Sequence, residues 1–219
     1  MTEATSTIMK ETDLPQPLPL FPLQLVLFPG AVLALKVFEA RYLDMVGECM
    51  RRRAPFGVVC LSAGQDAARD SRGQPSQQLE SVGTIAHIDE VDAEQAGILR
   101  LRCRGGQRFK IKSEPTQRDN GLWVAEVSPL RDDAVRSPGP AVLSTVAALA
   151  DAIKQLQQQD QVPFLQPYKL DDAGWVANRW CELLPISLAA KQKLMELDDP
   201  VIRLSLVDGY LRDKKVVIG

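Results

Sequence analysis

Residues 18–30 form a strongly apolar run, Leu-Pro-Leu-Phe-Pro-Leu-Gln-Leu-Val-Leu-Phe-Pro-Gly, which three prolines interrupt. Because proline has no N–H and a fixed φ angle, the run cannot be an ordinary helix or a helical membrane span. The prolines instead predict an extended path, a turn and a second extended path that ends at Gly30. The spacing between Phe21-Pro22 and Phe28-Pro29 leaves room for a strand of about five residues. The run therefore predicts a short strand entering a β-rich domain.

The composition predicts a soluble, cytoplasmic protein that needs no disulfide bonds. Its 219 residues suffice for a large core, and 26 basic against 28 acidic side chains give no overall attraction to nucleic acid or membrane. No segment approaches about 18 consecutive apolar residues, and residues 1–13 lack the pattern of a secretory signal. No metal or cofactor site is predicted. Four widely spaced cysteines are predicted to be reduced, structural thiols: Cys49, Cys60, Cys103 and Cys181.

Apolar runs and turn signals predict a mainly-β first domain with one packed helix. Further strands are predicted at 31–38, 56–61, 82–91, 98–103, 107–113 and 122–127. Of these, 56–61 is apolar on both faces, which predicts the centre of the sheet. The strands at 82–91 and 98–103 are predicted to form a hairpin, and the last two strands a second antiparallel pair joined through Asn120-Gly121. The count is compatible with a closed or partly closed barrel.

One amphipathic helix and one long loop interrupt these strands. The helix is predicted at 39–53, where it ends on three arginines that suit the negative end of the helix dipole. Its apolar positions are Tyr42, Leu43, Val46, Cys49 and Met50. Residues 64–80 have no apolar periodicity and are predicted to form an exposed loop.

The chain after 131–140 is helical in pattern. Helices are predicted at 141–159 and 172–184, then from Ser187 through Leu197 and from Asp199 through Leu211, with Ser187 and Asp199 as N-caps. We therefore predict an α+β fold with three parts: a flexible arm (1–16), a β pseudobarrel (17–133) and a helical bundle subdomain (134–219).

Several motifs resemble, in order and spacing, the N-terminal domain of the ATP-dependent Lon proteases. In the first half they are Leu18-Pro-Leu-Phe-Pro-Leu, Leu27-Phe-Pro-Gly, Phe38-Glu-Ala-Arg-Tyr-Leu-Asp-Met-Val, Phe56-Gly-Val-Val, Val82-Gly-Thr-Ile-Ala and Gly105-Gly-Gln-Arg-Phe-Lys-Ile. The resemblance continues through Leu184-Pro-Ile, Lys191-Gln-Lys-Leu-Met-Glu and Arg203-Leu. It implies a PUA-like pseudobarrel with a helical appendage.

The same resemblance implies a non-catalytic function. The sequence contains no Gly-x-x-x-x-Gly-Lys-[Ser/Thr] phosphate loop, and we expect a stand-alone substrate-binding domain without ATPase or protease domains. The implied ligands are unfolded or exposed polypeptide segments, and a protease or a chaperone is the implied partner class.

Aromatic residues near the proline-rich run are the first candidate binding site. An aromatic-proline surface at a strand end suits an apolar peptide, and an arginine beside a tyrosine suits a carboxylate. The candidates are Phe21, Phe28, Phe38, Arg41 and Tyr42. The interpretation that we favour is structural: Glu39 begins a helix, and Tyr42 packs inward.

Six cations along 98–113 give an alternative function, a PUA-like RNA-binding module. Because alternate residues share one face of a strand, a basic stripe is predicted to point outward, where it can follow phosphates. The stripe consists of Arg100, Arg102, Arg104, Arg108, Lys110 and Lys112. The residues predicted to point inward are Leu99, Leu101, Cys103, Phe109 and Ile111. We favour a solvated face that acidic side chains partly neutralise: Asp89, Glu90, Asp92 and Glu94.

Two further patterns superficially suggest catalysis. His87 is the only histidine and is predicted to be a half-exposed strand residue, because no nucleophile is aligned with it in the sequence. Ser187 and Lys191 are spaced like a Ser-Lys pair, but Ser187 is better explained as a helix N-cap. No catalytic residue is therefore predicted.

Overall fold

A computed structural model of the protein describes residues 14–61, 78–159, 161 and 164–217, without the side chain of Glu94. The chain forms two compact units. The first contains the residues up to Leu27 together with Leu33–Asp132, and the second contains Phe28–Val32 together with the residues from Asp133 onward. Most of the predicted loop, 64–80, lies outside the described residues. The predicted α+β class is confirmed.

The first unit is built on a mixed, eight-stranded sheet. The strands are β1 (Leu18–Leu23), β2 (Val32–Val37), β3 (Phe56–Cys60), β4 (Val82–Gln95), β5 (Ile98–Ile111), β6 (Thr116–Gln117), β7 (Trp123–Ala125) and β8 (Val127–Pro129). Their order is β2-β5-β4-β3-β1-β7-β6, and β8 pairs with β5. β1 pairs with β3 in parallel, whereas β4 is antiparallel to both β3 and β5. All five residues of β3 are buried, and the predicted central position of this strand is confirmed.

The core of this unit also holds residues of the predicted N-terminal arm. Leu14 is buried against the core that contains Leu18, Leu20 and Phe109. The side chain of Gln16 donates to the carbonyl oxygen of Val127 and accepts from its N–H, at 3.0 and 3.2 Å. Leu14 and Gln16 of the arm therefore contact the strands of this unit.

The strand predicted inside the proline-rich run lies earlier than expected. The expected strand followed Phe21-Pro22, whereas β1 ends at Leu23 and pairs with β3 from Leu20 to Leu23. The run still turns at Gly30, whose φ of 75° favours glycine. The position of the strand depends on its hydrogen-bonded partner. Residues 20–23 pair with the buried strand β3, whereas residues 24–27 pair with no strand that the structure describes.

The predicted second antiparallel pair, 107–113 with 122–127, is confirmed only in part: Ile111 pairs with Val127, and the Lys112 N–H donates to the carbonyl oxygen of Glu126. Residues 98–103 and 107–111 belong to one strand, β5, which continues through Gly105-Gly106. The last residues of β5 pair with β8, and β7 pairs with β6 through the predicted turn, where the Gly121 N–H donates to the Arg118 carbonyl oxygen. The paired glycines had suggested a break, but β4 runs alongside them as a continuous partner.

The helix of the first unit, α1 (Ala40–Arg52), agrees with the prediction within one residue at each end. It buries four side chains: Tyr42, Met45, Val46 and Cys49. Met50, predicted on the apolar face, is instead 51% exposed. The helix ends at Arg53, whose left-handed φ of 51° turns the chain toward β3.

The second unit contains a short 3-10 turn (Pro140–Val142) and four helices: α2 (Leu143–Gln158), α3 (Ala173–Leu183), α4 (Leu188–Glu196) and α5 (Pro200–Asp213). Both predicted caps are confirmed: the side chains of Ser187 and Asp199 accept hydrogen bonds from the first turns of α4 and α5. Among the described residues, no helix is long and apolar enough to cross a membrane.

Two buried arginines tie this second unit together. Arg179 of α3 donates to the carbonyl oxygens of Pro29 and Gly30, both at 2.7 Å, and lies 2.5 Å from the carboxylate of Glu182. Arg203 of α5 pairs with Asp133 at 2.5 Å. Each buried cation has an anionic partner and carbonyl acceptors, which offset part of the cost of its desolvation.

Candidate functional site

A surface cavity of about 400 Å³ lies between the C-terminal end of α1 and the middle of β4. It is lined by Cys49, Met50, Arg53, Ala54, Pro55, His87, Ile88, Asp89 and Val91. We call it the β4 cavity. Its volume lies within the range of ligand pockets, about 300–1,000 Å³.

The local sequence explains why the cavity exists at this point. The left-handed conformation of Arg53 ends α1, and the N–H of Ala54 donates to the carbonyl oxygen of Cys49 at 2.9 Å. Pro55 follows immediately, and β3 starts at Phe56. Pro55 directs its carbonyl oxygen to the thiol of Cys49, at 3.8 Å, and the pairing between β3 and β4 begins only at Phe56.

As a result, β4 has a strand on both sides up to Ala86 and loses its partner β3 beyond that residue. Phe56 pairs with Ala86, and this is the last pair between β3 and β4. β4 nevertheless continues to Gln95, paired with β5 on its other side. Among the residues that the structure describes, no strand pairs with β4 beyond Ala86 on the side that faces β3. We call residues 87–91 on that side the open edge.

The charges around the cavity are unevenly paired. Asp89 and Glu90 form exposed ion pairs with Arg104 and Arg102 of β5, at 3.4 and 2.9 Å. Arg53 is exposed, and within the described part of the chain no ion pair to it is found. The cavity wall therefore presents an arginine whose charge is available to a ligand.

Two groups of the cavity wall, His87 and Cys49, are neutral near pH 7. Burial lowers the pKa of His87, the Arg104 cation lowers it further, and Asp89 opposes both. Burial, assisted by Glu48, raises the pKa of the Cys49 thiol to about 11, so Cys49 is protonated and unreactive. These two groups offer a weakly polar surface and no activated nucleophile.

A smaller cavity of about 130 Å³ lies on the other side of the Cys49–Pro55 segment. Its lining includes Pro15, Pro17 and Pro19 of the N-terminal segment, with Met45 of α1. Glu48 accepts from Arg52 at 3.0 Å and lies 3.7 Å from Arg118. Its charged wall is therefore internally paired, unlike that of the β4 cavity.

The structure does not bring the predicted peptide-binding aromatics to one surface. Phe38 is 64% exposed. Phe21 and Tyr42 are buried and stack with their ring centroids 4.0 Å apart, and the guanidinium of Arg41 lies 4.8 Å from the centroid of Tyr42. Phe28 is fully buried in the second unit. Tyr42 packs inward as the structural interpretation predicted, and Phe38 is the one member with a largely exposed ring.

The basic stripe departs from the prediction at Arg108. This residue is buried and donates to the carbonyl oxygen of Arg131 at 3.3 Å, so it does not point outward. Arg108 follows the Gly105-Gly106 pair and a register shift in the β4–β5 ladder, which change the alternation of faces. Arg102 and Arg104 form the ion pairs with Glu90 and Asp89 that the favoured interpretation predicted. The outer face of β5 is therefore partly neutralised.

The two patterns that suggested catalysis have structural explanations. The hydroxyl of Ser187 accepts from the N–H of Ala190 at 3.2 Å, and Lys191 donates to the carbonyl oxygen of Glu182 at 3.2 Å. His87 is half-buried, as predicted, and its ring lies against Gly106 of β5. The described residues contain no group of three His, Cys, Asp or Glu side chains placed to hold a metal ion.

The sequence does not predict a site formed by the residues that line the β4 cavity. Of these residues, His87 is weighed above as a catalytic group and Asp89 as an acid that neutralises the basic stripe. The available signal was Pro55, a residue without an N–H directly before a buried strand. A second signal was Met50, an apolar residue directly before three arginines. Neither signal reveals a cavity without knowledge that β4 extends beyond β3.

Sequence comparison finds relatives over nearly the whole chain. The family described as the ATP-dependent protease La (LON) substrate-binding domain matches residues 17–213. The chain is 28% identical to the Lon protease of Cytophaga hutchinsonii over 89% of its own length and 24% of that protein. It is 26% identical to a LON peptidase N-terminal domain and RING finger protein of Schizosaccharomyces pombe, over 87% of this chain and 44% of that protein. The chain thus spans less than half the length of these curated relatives.

Solved structures show a similar fold. The crystal structure of a Lon N-terminal domain protein from Xanthomonas campestris superposes with a TM-score of 0.69 at 34% identity, covering 88% of this chain and 97% of that one. The N-terminal domain of a Lon protease from the Mycobacterium avium complex gives a TM-score of 0.54 at 17% identity and covers 90% of this chain. The second likeness concerns the fold alone.

Proposed function

Because the chain belongs to the substrate-binding domain family of ATP-dependent protease La (LON), we propose that it binds exposed segments of unfolded polypeptides at the β4 cavity. The observation that carries this proposal is the composition of the cavity wall: exposed apolar surface beside an open strand edge. The proposal assigns no catalytic step to the cavity.

The apolar part of the wall suits many different side chains. Met50 is exposed, and its flexible, polarizable thioether adapts to ligands of different shape. Ile88 and Val91 of β4 add half-buried aliphatic surface opposite Pro55. A module that binds unfolded chains of varied sequence needs this tolerance, because unfolded chains share exposed apolar groups and no fixed shape.

Phe38 is proposed as a second apolar contact. It lies just before α1, whereas Met50 lies near the end of that helix, about 15 Å along the axis from its first residue, Ala40. An extended chain spans this length with about five residues. A protease or chaperone that receives the bound segment is the implied partner class.

The test is a binding titration of the purified chain with fluorescently labelled casein, an unfolded polypeptide, and with a labelled folded protein as the control. We expect saturable binding of casein that depends weakly on salt. Changing Met50→Asp should weaken it about tenfold, because a charge replaces apolar contact in the cavity. Val135→Asp is the matched control, since Val135 is 85% exposed and does not line the cavity. Absence of saturable casein binding would refute the proposal.

RNA binding gives a different signature in the same assay. A labelled RNA pool should show no shift, because Arg102 and Arg104 are already paired with acidic residues and Arg108 is buried. RNA binding that weakens steeply with increasing salt, and that weakens further on Arg102→Glu, would instead favour an RNA-binding function.

A further inference from the structure

We propose that the chain captures its substrate by strand addition: an extended segment pairs with the open edge of β4, and an acidic side chain of that segment meets Arg53. This inference rests on the proposed polypeptide binding and specifies its geometry and its preferred sequence. It commits to one occupant, an extended polypeptide with an acidic residue next to apolar ones.

The first argument is the backbone of β4. Alternate residues of a strand direct both the N–H and the C=O to the same side, so the groups of β4 that do not pair with β5 point to the side of β3. From Thr84 to Ala86 that side pairs with β3, and from His87 onward it faces the β4 cavity. Strand addition satisfies backbone donors and acceptors of this kind.

The second argument is the position of the cavity in the sheet. The antiparallel pair of Phe56 with Ala86 defines a line along which β3 would continue if it were longer. Instead, the chain leaves that line at Pro55, which also lines the cavity together with residues on β4. The cavity therefore lies where a further strand residue opposite His87 would be placed.

The third argument concerns the length of the paired segment. The ladder between β4 and β5 shifts register between Ile88 and Glu90, and again between Asp92 and Gln95. The first irregularity lies within the open edge and bends it, whereas the second ends the regular strand beyond it. The open edge thus supports a short addition, from His87 to Val91, of about 15 Å.

The fourth argument is charge complementarity. The acidic residues of the edge, Asp89 and Glu90, are already paired with arginines of β5. Arg53 lines the same cavity as Asp89 and is exposed, without an ion pair to any residue that the structure describes. An incoming carboxylate gains this cation, whereas an incoming lysine or arginine meets a like charge.

The first experiment separates backbone pairing from side-chain contact. The probe is the labelled peptide Ser-Glu-Val-Thr-Ile-Glu-Val-Ser, made also in two forms that carry N-methyl groups on either the odd or the even residues. A strand pairs through one edge, so one form should lose at least about tenfold in affinity and the other should stay within about twofold. Equal behaviour of the two forms would overturn strand addition.

The second experiment tests the charge. Arg53→Glu should weaken the glutamate peptide about tenfold and should strengthen a peptide in which lysine replaces both glutamates. Arg51→Glu is the matched control, because Arg51 is exposed on the same helix end and does not line the cavity. Equal effects of the two substitutions would overturn the role of Arg53.

The outcomes distinguish this inference from the proposed function. Casein binding that is insensitive to Arg53→Glu, together with no binding of the glutamate peptide, overturns the inference and leaves polypeptide binding intact. Absence of binding to both probes refutes both. Sedimentation of the unliganded chain checks the competing occupant: a dimer that dissociates on Arg53→Glu would assign the edge to a second copy and overturn the proposal.

Discussion

The two halves of β4 are parts of one strand with opposite properties. From Val82 to Ala86 every residue is buried, with β3 on one side and β5 on the other. From His87 to Gln95, β5 is the only strand of the described residues that pairs with β4, and the described side chains are half-buried or exposed. The difference arises because the neighbouring strand, β3, begins only at Phe56, directly after Pro55. The buried half is core, and the other half is the docking edge that we propose.

The largest expected effect is the loss of stability on Gly83→Ala in the buried half. A Cβ at Gly83 would lie 2.5 Å from the carbonyl oxygen of Val58 and 2.6 Å from Cζ of Phe109, so the sheet must shift. We expect the free energy of unfolding to fall by about 3 kcal/mol in urea denaturation.

The matched change in the open half is Ala93→Val. Ala93 is exposed, and a β-branched residue is well tolerated in a strand, so the free energy of unfolding should change by less than about 0.5 kcal/mol. Similar losses in the two variants would contradict the contrast between the halves.

The second-largest expected effect is the loss of a buried hydrogen bond in the first half of β4, compared with the loss of an exposed ion pair in the second half. Thr84 is buried, and its hydroxyl donates to the carbonyl oxygen of Leu27 at 2.6 Å. Thr84→Val removes the donor and leaves a buried acceptor, which should cost about 1–2 kcal/mol. Glu90→Gln breaks only the exposed pair with Arg102 and should cost under about 0.5 kcal/mol. Calorimetric melting of both variants measures the difference, and a larger cost at Glu90 would be the contrary result.

Much of this fold follows from local sequence signals, whereas the candidate site does not. The ends of α1, the burial of β3 and the caps at Ser187 and Asp199 depend on nearby residues, and the sequence predicts them. The continuity of β5 was missed, because Gly105-Gly106 suggested a break.

That glycine pair has a tertiary explanation. A Cβ at Gly106 would lie 2.8 Å from Nε2 of His87, so the close approach of the two strands requires a glycine there. The β4 cavity was unpredictable for a similar reason. It depends on where β3 ends relative to β4, and strand register is a property of the assembled sheet.

The smallest expected effect is a pH dependence that arises at the boundary of the two halves. Burial and the Arg104 cation lower the pKa of His87 in the folded chain, so the unfolded chain binds this proton more tightly. The free energy of unfolding should therefore fall as the pH drops from about 6.5 through the folded pKa of His87.

His87→Gln should remove the part of the pH dependence of the free energy of unfolding that arises from this histidine. Urea denaturation at several pH values between about 4 and 7 measures the slope for both chains. An unchanged slope in the variant would show that His87 does not contribute to it.

Hydrogen exchange of the backbone amides of β4, with and without bound casein, tests the central claim most directly. The account predicts that casein slows the exchange of amides within 87–91 by at least about tenfold and leaves those of 82–86 unchanged, because only the later half has an edge to fill. Casein that binds at saturation while the amides of 87–91 exchange as fast as in the free chain would contradict the account.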